Sequence, residues 1–247
     1  MAALRRLLLR SRTRGFPPGG NGASSFHLSW QLPPAAGHLV EAAVTLEVVT
    51  PPVVEHLYFW ALQVGFPGAG GAHLGLQWNH RHPGFGAANW GGYAASGGLL
   101  EGTESALAST PADPNTRDYP WQPGRPYRLR VRRGAPGTWR GEVVDLTTGE
   151  ESLVRELYAP GEFLHDVLVW SEVFARCDDP SVVARWSDFT VVDELGAQHA
   201  PTGLGVNYQA HANSGCANTV SVAGTDGGVL QVTNAERVTP QGAVLAL

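Results

Sequence analysis

Alternation between apolar and polar residues dominates the chain from about residue 38 onward. Segments such as YRLRVRR at 127–133 and DVLVWSEVFA at 166–175 place every second residue on one side, which is typical of β-strands with one buried face. The same period predicts strands at 38–49, 55–66, 73–79, 138–146, 184–193 and 229–233. Turn residues separate these segments, and no long stretch carries the 3.6-residue period of a helix. The pattern predicts an all-β protein.

Short strands and tight turns in this number are typical of a two-sheet antiparallel jelly-roll sandwich. We expect the sandwich domain to span 26–195 and to follow a basic tail with a Pro/Gly linker at 1–25. The residues at 196–247 are smaller and more polar, which predicts a C-terminal β extension packed on the sandwich.

Three longer segments resemble one known group of proteins. YFWALQVGFPGAGGAHLGLQWN, YRLRVRR with TWRGEVVDLTTGE, and VWSEVFARCDDPSVVARWSDFTV are similar to uncharacterised bacterial proteins of the concanavalin A-like lectin/glucanase superfamily, over roughly residues 40–193. The resemblance implies a curved jelly roll whose concave face holds a carbohydrate in many relatives. The E-x-D-x-x-E signature of the laminarinase-like members is absent, so the resemblance implies the fold and leaves the activity open.

Composition and charge narrow the function classes. The net charge is −5, and five of the arginines lie within the first fourteen residues, so the body of the chain is acidic. This balance argues against general binding to duplex nucleic acid. No stretch is apolar for long enough to span a membrane, and the N-terminal apolar run is too short for a signal peptide, which predicts a cytoplasmic protein unless another export route is used. The basic N-terminus is either a solvated tail or a short helix touching an anionic membrane.

The strongest candidate site lies on the late strand at 166–175. One side of this strand carries Leu168, Trp170, Glu172 and Phe174, and the other side carries small apolar residues that suit a core between sheets. A carboxylate between aromatic rings is suited to binding a sugar, so Trp170 is a candidate ligand-binding residue and Glu172 a candidate acid or base. The alternative is a glutamate paired with an arginine beneath a covering loop.

The strand at 73–79 supplies further polar candidates. His73, Gln77, Asn79 and Arg81 share one side, where the two amides could bind a polar ligand, although a solvated sheet face would look the same. Trp90, in a glycine-rich segment read as a loop, is either an exposed stacking ring or an anchor in the core.

The sequence gives only weak signals for a metal or cofactor site. His80 and His82 form a His-x-His pair, but no glutamate follows at the spacing of a cupin, so we expect residues at a strand end and no metal site. The oxygen-rich DPNTRD at 113–118 leaves calcium possible without matching a known calcium loop. We otherwise expect no cofactor.

Two more patterns leave alternatives open. Arg128, Arg130 and Arg132 share a strand face, where they either bind an anionic glycan or phosphate or pair with Glu142 and its neighbours across a hairpin. The two cysteines, Cys177 and Cys216, either form a disulfide or stay free.

These observations support three hypotheses. The first is a carbohydrate-recognising β-sandwich that binds a glycan or another polar small molecule. The second is a glycoside hydrolase or polysaccharide lyase with Glu172 as acid or base. The third is a non-catalytic module that binds another protein.

Overall fold

The computed structural model of the chain describes residues 12–18, 22–68 and 70–247. It confirms an all-β protein in which two antiparallel sheets form a sandwich. Residues 1–11 and 19–21 of the predicted tail and linker, and with them most of the possible membrane-touching helix, lie outside the described residues. None of the helices in the described part of the chain is long and apolar enough to cross a membrane.

In the described part of the chain, the first sheet, sheet A, has eight strands in the order β16-β13-β1-β10-β3-β4-β5-β6. Its strands are β1 (Ser24–Gln31), β3 (Tyr58–Phe66), β4 (Gly70–Trp78), β5 (Gly86–Tyr93), β6 (Thr116–Asp118), β10 (His165–Val173), β13 (Gly203–Tyr208) and β16 (Val244–Leu245).

The second sheet, sheet B, has the order β14-β15-β11-β2-β7-β8-β9, with β12 also paired to β11. Its strands are β2 (Leu39–Thr50), β7 (Pro126–Arg133), β8 (Thr138–Asp145), β9 (Glu151–Tyr158), β11 (Val183–Asp193), β12 (Gln198–His199), β14 (Val220–Ala223) and β15 (Val229–Val232). Short 3-10 turns span Pro34–Ala36, Pro83–Phe85 and His211–Asn213.

The core fills the space between the sheets as the alternation requires. In β10 the valines at 167, 169 and 173 are buried against sheet B, and in β3 the inward residues include Trp60 and Leu62. One polar group is built into this interior: Gln231 accepts hydrogen bonds from the Ser171 hydroxyl at 2.7 Å and the Trp186 indole at 2.9 Å. Gln231 thereby joins a side chain of each sheet, with its own polar atoms satisfied.

Sequence alternation missed several strands. The glycine-rich segment expected to be a loop forms β5, and its small residues allow close packing against β4. Because only Ala88 and Trp90 of this strand belong to the core cluster, the sequence shows little apolar alternation there. In β9 the alternation is broken, since the register against β8 shifts between Gly141 and Glu142.

The segment at 196–247 contributes strands to both sheets. β13 pairs with β1 in sheet A, and β15 pairs with β11 in sheet B. A disulfide between Cys177 and Cys216, with Cα atoms 5.4 Å apart, joins the end of β10 to this segment. The alternative of free thiols at these two positions is therefore wrong.

Candidate functional site

A groove with a volume of about 710 Å³ lies on the outer face of sheet A. Its floor consists of outward-facing residues of four adjacent strands, and the loop at 94–115 between β5 and β6 forms one wall. The polar and aromatic residues of the floor include Phe59, His73, Gln77, Asn89, Trp170 and Glu172. A concave site with a few convergent polar groups is the usual form of a small-ligand or substrate site.

Strand register places Glu172 and Gln77 in one row across the floor. Glu172 of β10 pairs with Phe59 of β3, and Phe59 pairs with Gln77 of β4. Two strand spacings separate the Cα atoms of Glu172 and Gln77 by roughly 9.5 Å. Both side chains line the groove, so a substrate atom between them can meet a carboxylate on one side and an amide on the other.

The ring of Phe59 leans out of this row. It makes edge contacts with Trp170, at 4.9 Å between ring centroids, and with His73 at 5.5 Å. A Cβ atom at Gly75 would lie 2.8 Å from this ring and 1.9 Å from the Trp60 carbonyl oxygen, so only glycine fits there. Gly75 therefore makes room for the Phe59 ring beside the row that holds Glu172 and Gln77.

The amide of Gln77 is held in one orientation. Asn79 Nδ2 donates to Gln77 Oε1 at 2.9 Å, and Asn79 Oδ1 accepts from the backbone N–H of Arg81 at 3.1 Å. From the core side, the Trp121 indole donates to the backbone carbonyl of Gln77 at 2.8 Å and fixes the strand at this residue. Because Oε1 is occupied, the face that Gln77 offers to the groove is its Nε2 donor.

Glu172 and Asn89 complete the polar floor. The Ser25 hydroxyl donates to Glu172 Oε1 at 3.2 Å and fixes that side of the carboxylate. Asn89 Nδ2 donates to Thr116 Oγ1 at 2.8 Å, whereas the buried Asn89 Oδ1 has no hydrogen-bond partner among the described residues. A buried acceptor without a partner costs stability, so Asn89 Oδ1 is suited to accept an N–H from a bound ligand.

His73 is one of several aromatic residues on the groove floor beside this row. Its ring lies 5.7 Å from that of Trp170 and 6.5 Å from that of Tyr93. Burial lowers the pKa of His73 to about 4, because desolvation disfavours the imidazolium. His73 is therefore an uncharged ring at neutral pH.

The sequence-predicted site residues separate into two groups. Trp170, Glu172, Gln77, His73 and Arg81 all line the groove. Asn79 does not line it and acts on the Gln77 amide instead.

Trp90 is an anchor in the core, so the alternative of an exposed stacking ring is wrong. It is 0% exposed, its indole donates to the Trp139 carbonyl at 3.1 Å, and its ring packs against Gly141 of the opposite sheet. Sequence reasoning missed Phe59, Asn89 and Ser25. The alternation of β3 would have identified Phe59, but no local signal identifies the other two.

His80 and His82 do not share a site. His80 is exposed, whereas the buried His82 places Nδ1 2.6 Å from Asp118 Oδ1 and fastens the β4–β5 turn to β6. Within residues 12–18, 22–68 and 70–247, no group of three or more His, Cys, Asp or Glu side chains is placed to hold a metal ion.

The DPNTRD loop uses its oxygen atoms within the protein. One carboxylate oxygen of Asp113 accepts from the Asn115 N–H at 2.9 Å, and Asn115 Oδ1 accepts from Arg155 Nη1 at 2.8 Å. This loop forms the groove wall above β5, where Asn115 covers Gly91.

The arginine stripe of β7 pairs across its hairpin. Arg130 Nε and Arg132 Nη2 donate to the Glu142 carboxylate at 2.7 and 2.8 Å, and Arg140 lies 3.0 Å from it. Arg128 binds the Asp188 carbonyl and the Thr190 hydroxyl. The contacts of Arg130 and Arg132 correspond to the pairing alternative, whereas Arg128 contacts β11 instead.

Comparison with known proteins gives matches only at the level of structure. No protein-family model matches the chain, and no curated protein matches it. A crystal structure of scytalido-glutamic peptidase with a peptide-based transition-state analog is similar, with a TM-score of 0.50 and 9% identity, over 84% of this chain and 97% of that one. SCP-B, a member of the eqolisin family of peptidases in complex with the tripeptide Ala-Ile-His, gives a TM-score of 0.47 at 9% identity over the same shares. The first likeness supports the β-sandwich fold.

Proposed function

We propose that this protein is a hydrolase of peptide bonds, with Glu172 as the general base and acid and Gln77 as the oxyanion donor. The observation that carries this proposal is the shared row of the two side chains on the floor of an open groove. A positioned carboxylate and a preorganised amide donor are two components that amide hydrolysis requires.

The chemistry follows from these two groups. The Glu172 carboxylate takes a proton from a water molecule as the water oxygen attacks the substrate carbonyl carbon. The carbonyl oxygen gains the negative charge and accepts a hydrogen bond from Gln77 Nε2. The C–N bond then breaks, and the protonated Glu172 returns its proton to the leaving nitrogen. No other acid or base is needed for the proton balance.

The peptide substrate is supported by the groove and by its structural neighbour. Asn89 Oδ1 offers an acceptor for a backbone N–H of an extended chain. The scytalido-glutamic peptidase of similar fold is described with a peptide-based analog. Because this likeness is one of fold, the peptide enters here as our proposal.

Glycoside hydrolysis fits the groove less well. It usually needs two carboxyl groups within about 5 to 9.5 Å of each other. The other acid that lines the described groove is Asp113, which lies beside Asn115 over β5, three strand spacings or roughly 14 Å from β10.

The glycan recognition predicted from the sequence, with its concanavalin A-like assignment, also has less support. Trp170 is only 6% exposed and its ring is packed by Phe59 and His73, which leaves little of it for a sugar to stack on.

The test compares Glu172→Gln with the unchanged protein. An unfolded protein and a mixed peptide library are incubated with each across pH 3 to 8, and new termini are identified by mass spectrometry. We expect cleavage by the unchanged protein and a rate at least about a thousandfold lower in Glu172→Gln, because the base is lost. Glu55→Gln is the matched control, since Glu55 is exposed and lies two residues from the groove residue Leu57.

Three outcomes separate the hypotheses. Equal cleavage by Glu172→Gln would show that Glu172 is not the base. Peptide binding without cleavage would make the groove a recognition site. Binding on a glycan array that Glu172→Gln abolishes, without peptide cleavage, would restore the carbohydrate hypothesis.

We further propose that the protein works in an oxidising compartment. The Cys177–Cys216 disulfide supports this location over the cytoplasm, where thiols are kept reduced. Alkylation of the unreduced protein from its natural source, followed by mass spectrometry, tests it. Two alkylated cysteines would favour the cytoplasm.

A further inference from the structure

A second cavity, of about 410 Å³, lies where three distant segments of the chain meet. Arg12 comes from the N-terminal segment, His211 from the turn after β13, and Arg237 from the segment before β16. None of the described residues that line this cavity is acidic. A concave surface with two arginines stands out in a chain of net charge −5.

Neutral groups hold the guanidinium of Arg237 in place. Its Nε donates to the Thr219 carbonyl at 2.9 Å, and its Nη2 donates to the Cys216 carbonyl at 2.8 Å and to Thr219 Oγ1 at 2.9 Å. The guanidinium carbon lies 3.9 Å from the centroid of the Tyr208 ring, a cation–π contact. The side chain is therefore preorganised before any ligand arrives.

The charge of the cavity is not balanced within the described residues. No ion pair there joins Arg12 or Arg237 to a carboxylate, in contrast to Arg130, Arg132, Arg140, Arg176 and Arg185. Burial lowers the pKa of Arg237, but a guanidinium remains protonated in proteins. A partly desolvated cation without a counter-ion is unfavourable, and an anion in the cavity would relieve that cost.

The disulfide region fixes Arg12 beside this cavity. The backbone N–H of Ala217, next to Cys216, donates to the Arg12 carbonyl at 2.9 Å, and Asn218 Nδ2 donates to the Thr13 carbonyl at 3.4 Å. The Cys177 N–H donates to the Gly15 carbonyl at 2.9 Å. The position of Arg12 therefore depends on backbone contacts, and its side chain stays exposed.

We propose that this cavity, the two-arginine pocket, binds a small oxyanion such as a carboxylate, sulfate or phosphate group. Guanidinium groups bind such anions through charge-assisted hydrogen bonds. Arg237 would use its Nη1 for this purpose, since its Nε and Nη2 donate within the protein. The volume exceeds that of one oxyanion, so the pocket also has room for part of the molecule that bears it. This site is separate from the groove and does not depend on the hydrolase proposal.

The experiment is calorimetric titration of the full chain with sodium sulfate, phosphate and acetate at a constant ionic strength set by chloride. We expect saturable binding at one site for at least one of these anions, and the strongest one identifies the class of the ligand group. In Arg12→Gln the dissociation constant should rise about tenfold, because one charge-assisted contact is lost. Arg14→Gln is the matched control, since Arg14 is exposed in the same segment but does not line the pocket.

Specific results would overturn the proposal. One is the absence of saturable binding for all three anions. The other is an equal rise of the dissociation constant in Arg12→Gln and Arg14→Gln, which would indicate general charge screening. Arg237→Gln should weaken binding further, and circular dichroism establishes whether it is folded. If it is unfolded, Arg12→Gln decides, because the Arg12 contacts that hold the segment come from its backbone.

Discussion

The outer faces of the two sheets carry polar residues at the same two-residue spacing but use them in opposite ways. On sheet B, three arginines surround the Glu142 carboxylate, which is 2% exposed. Glu151 and Glu156 pair with two of these arginines, so the charges of the cluster neutralise one another. On sheet A, Glu172, Gln77 and Asn89 line a groove, and polar atoms of Gln77 and Asn89 are available to a ligand. Polar groups that satisfy one another stabilise a fold, whereas oriented groups that face a cavity are available for binding and chemistry.

The cross-strand partner makes this difference. In sheet B, Arg130 of the neighbouring strand lies directly opposite Glu142, so the Glu142 carboxylate is engaged in ion pairs. In sheet A the residue between Glu172 and Gln77 is Phe59, whose ring leans away. Phe59 therefore places no charged group between Glu172 and Gln77, and both of these side chains line the groove.

After the loss of Glu172 described above, the largest expected effect follows from removing the amide donor of the groove. Gln77→Leu should lower kcat for peptide cleavage by about a hundredfold to a thousandfold, because one oxyanion donor is lost. The thermal midpoint should change little by comparison. Gln122→Leu, at an exposed glutamine outside the groove, is the control. An unchanged kcat in Gln77→Leu would remove Gln77 from the mechanism.

The next effect concerns stability on sheet B. Glu142→Gln leaves its arginine neighbours without their shared carboxylate and should lower the free energy of unfolding by about 2 kcal/mol, the exposure of the arginines making this less than for a fully buried pair. The cleavage rate per folded molecule should stay the same. Urea titration measures the free energy of unfolding. Glu151→Gln is the control, since Glu151 also pairs with Arg130 but is exposed. Equal stability of the two variants would contradict the structural role of Glu142.

A smaller effect is expected at the unpartnered amide oxygen. Asn89→Ala should raise KM for a peptide substrate about tenfold with little change in kcat, because a ground-state hydrogen bond to substrate is lost. Thr116→Val removes the hydroxyl that orients this amide and should shift KM in the same direction by less. A change in stability alone, without a change in KM, would assign Asn89 a structural role.

A pH dependence of stability also distinguishes the two faces. The pKa of His73 is about 4 in the folded protein against 6.5 for the free side chain, so only the unfolded chain takes up this proton between these values. Stability should therefore fall as pH drops from 6.5 to about 4, and His73→Gln should flatten part of this slope. His27, whose pKa burial also lowers, contributes in the same direction.

Sheet B responds at lower pH. Burial acts to raise the pKa of Glu142, but hydrogen bonds from Arg132 and Arg130 outweigh it and hold the pKa below 4.5. Its contribution is fully present above 4.5 and is lost as pH falls through the folded value. Chemical denaturation at a series of pH values would show both windows, and an unchanged slope in His73→Gln above pH 4.5 would contradict the assignment.

Part of the groove was accessible from the sequence. Alternation identified the faces of Glu172 and Gln77, because successive side chains of a strand point to opposite sides. It could not show that β3 lies between their strands, since the pairing of β10 with β3 joins residues about a hundred positions apart in the sequence. Ser25 and Asn89 were missed for the same reason: their roles depend on Glu172 and Thr116, which other strands supply.

The sequence by itself determined that the chain is an all-β sandwich and which side of each regular strand is buried, because hydrophobic burial acts locally with a period of two. The tertiary structure decided which polar groups meet. Trp90 lies in the core, and Arg130 of β7 pairs with Glu142. The two cysteines form a disulfide, and Glu172 lies in one row with Gln77, with Phe59 between them. Hydrogen bonds and ion pairs act over a few ångströms, so their partners are fixed only when sheet order and register bring distant segments together.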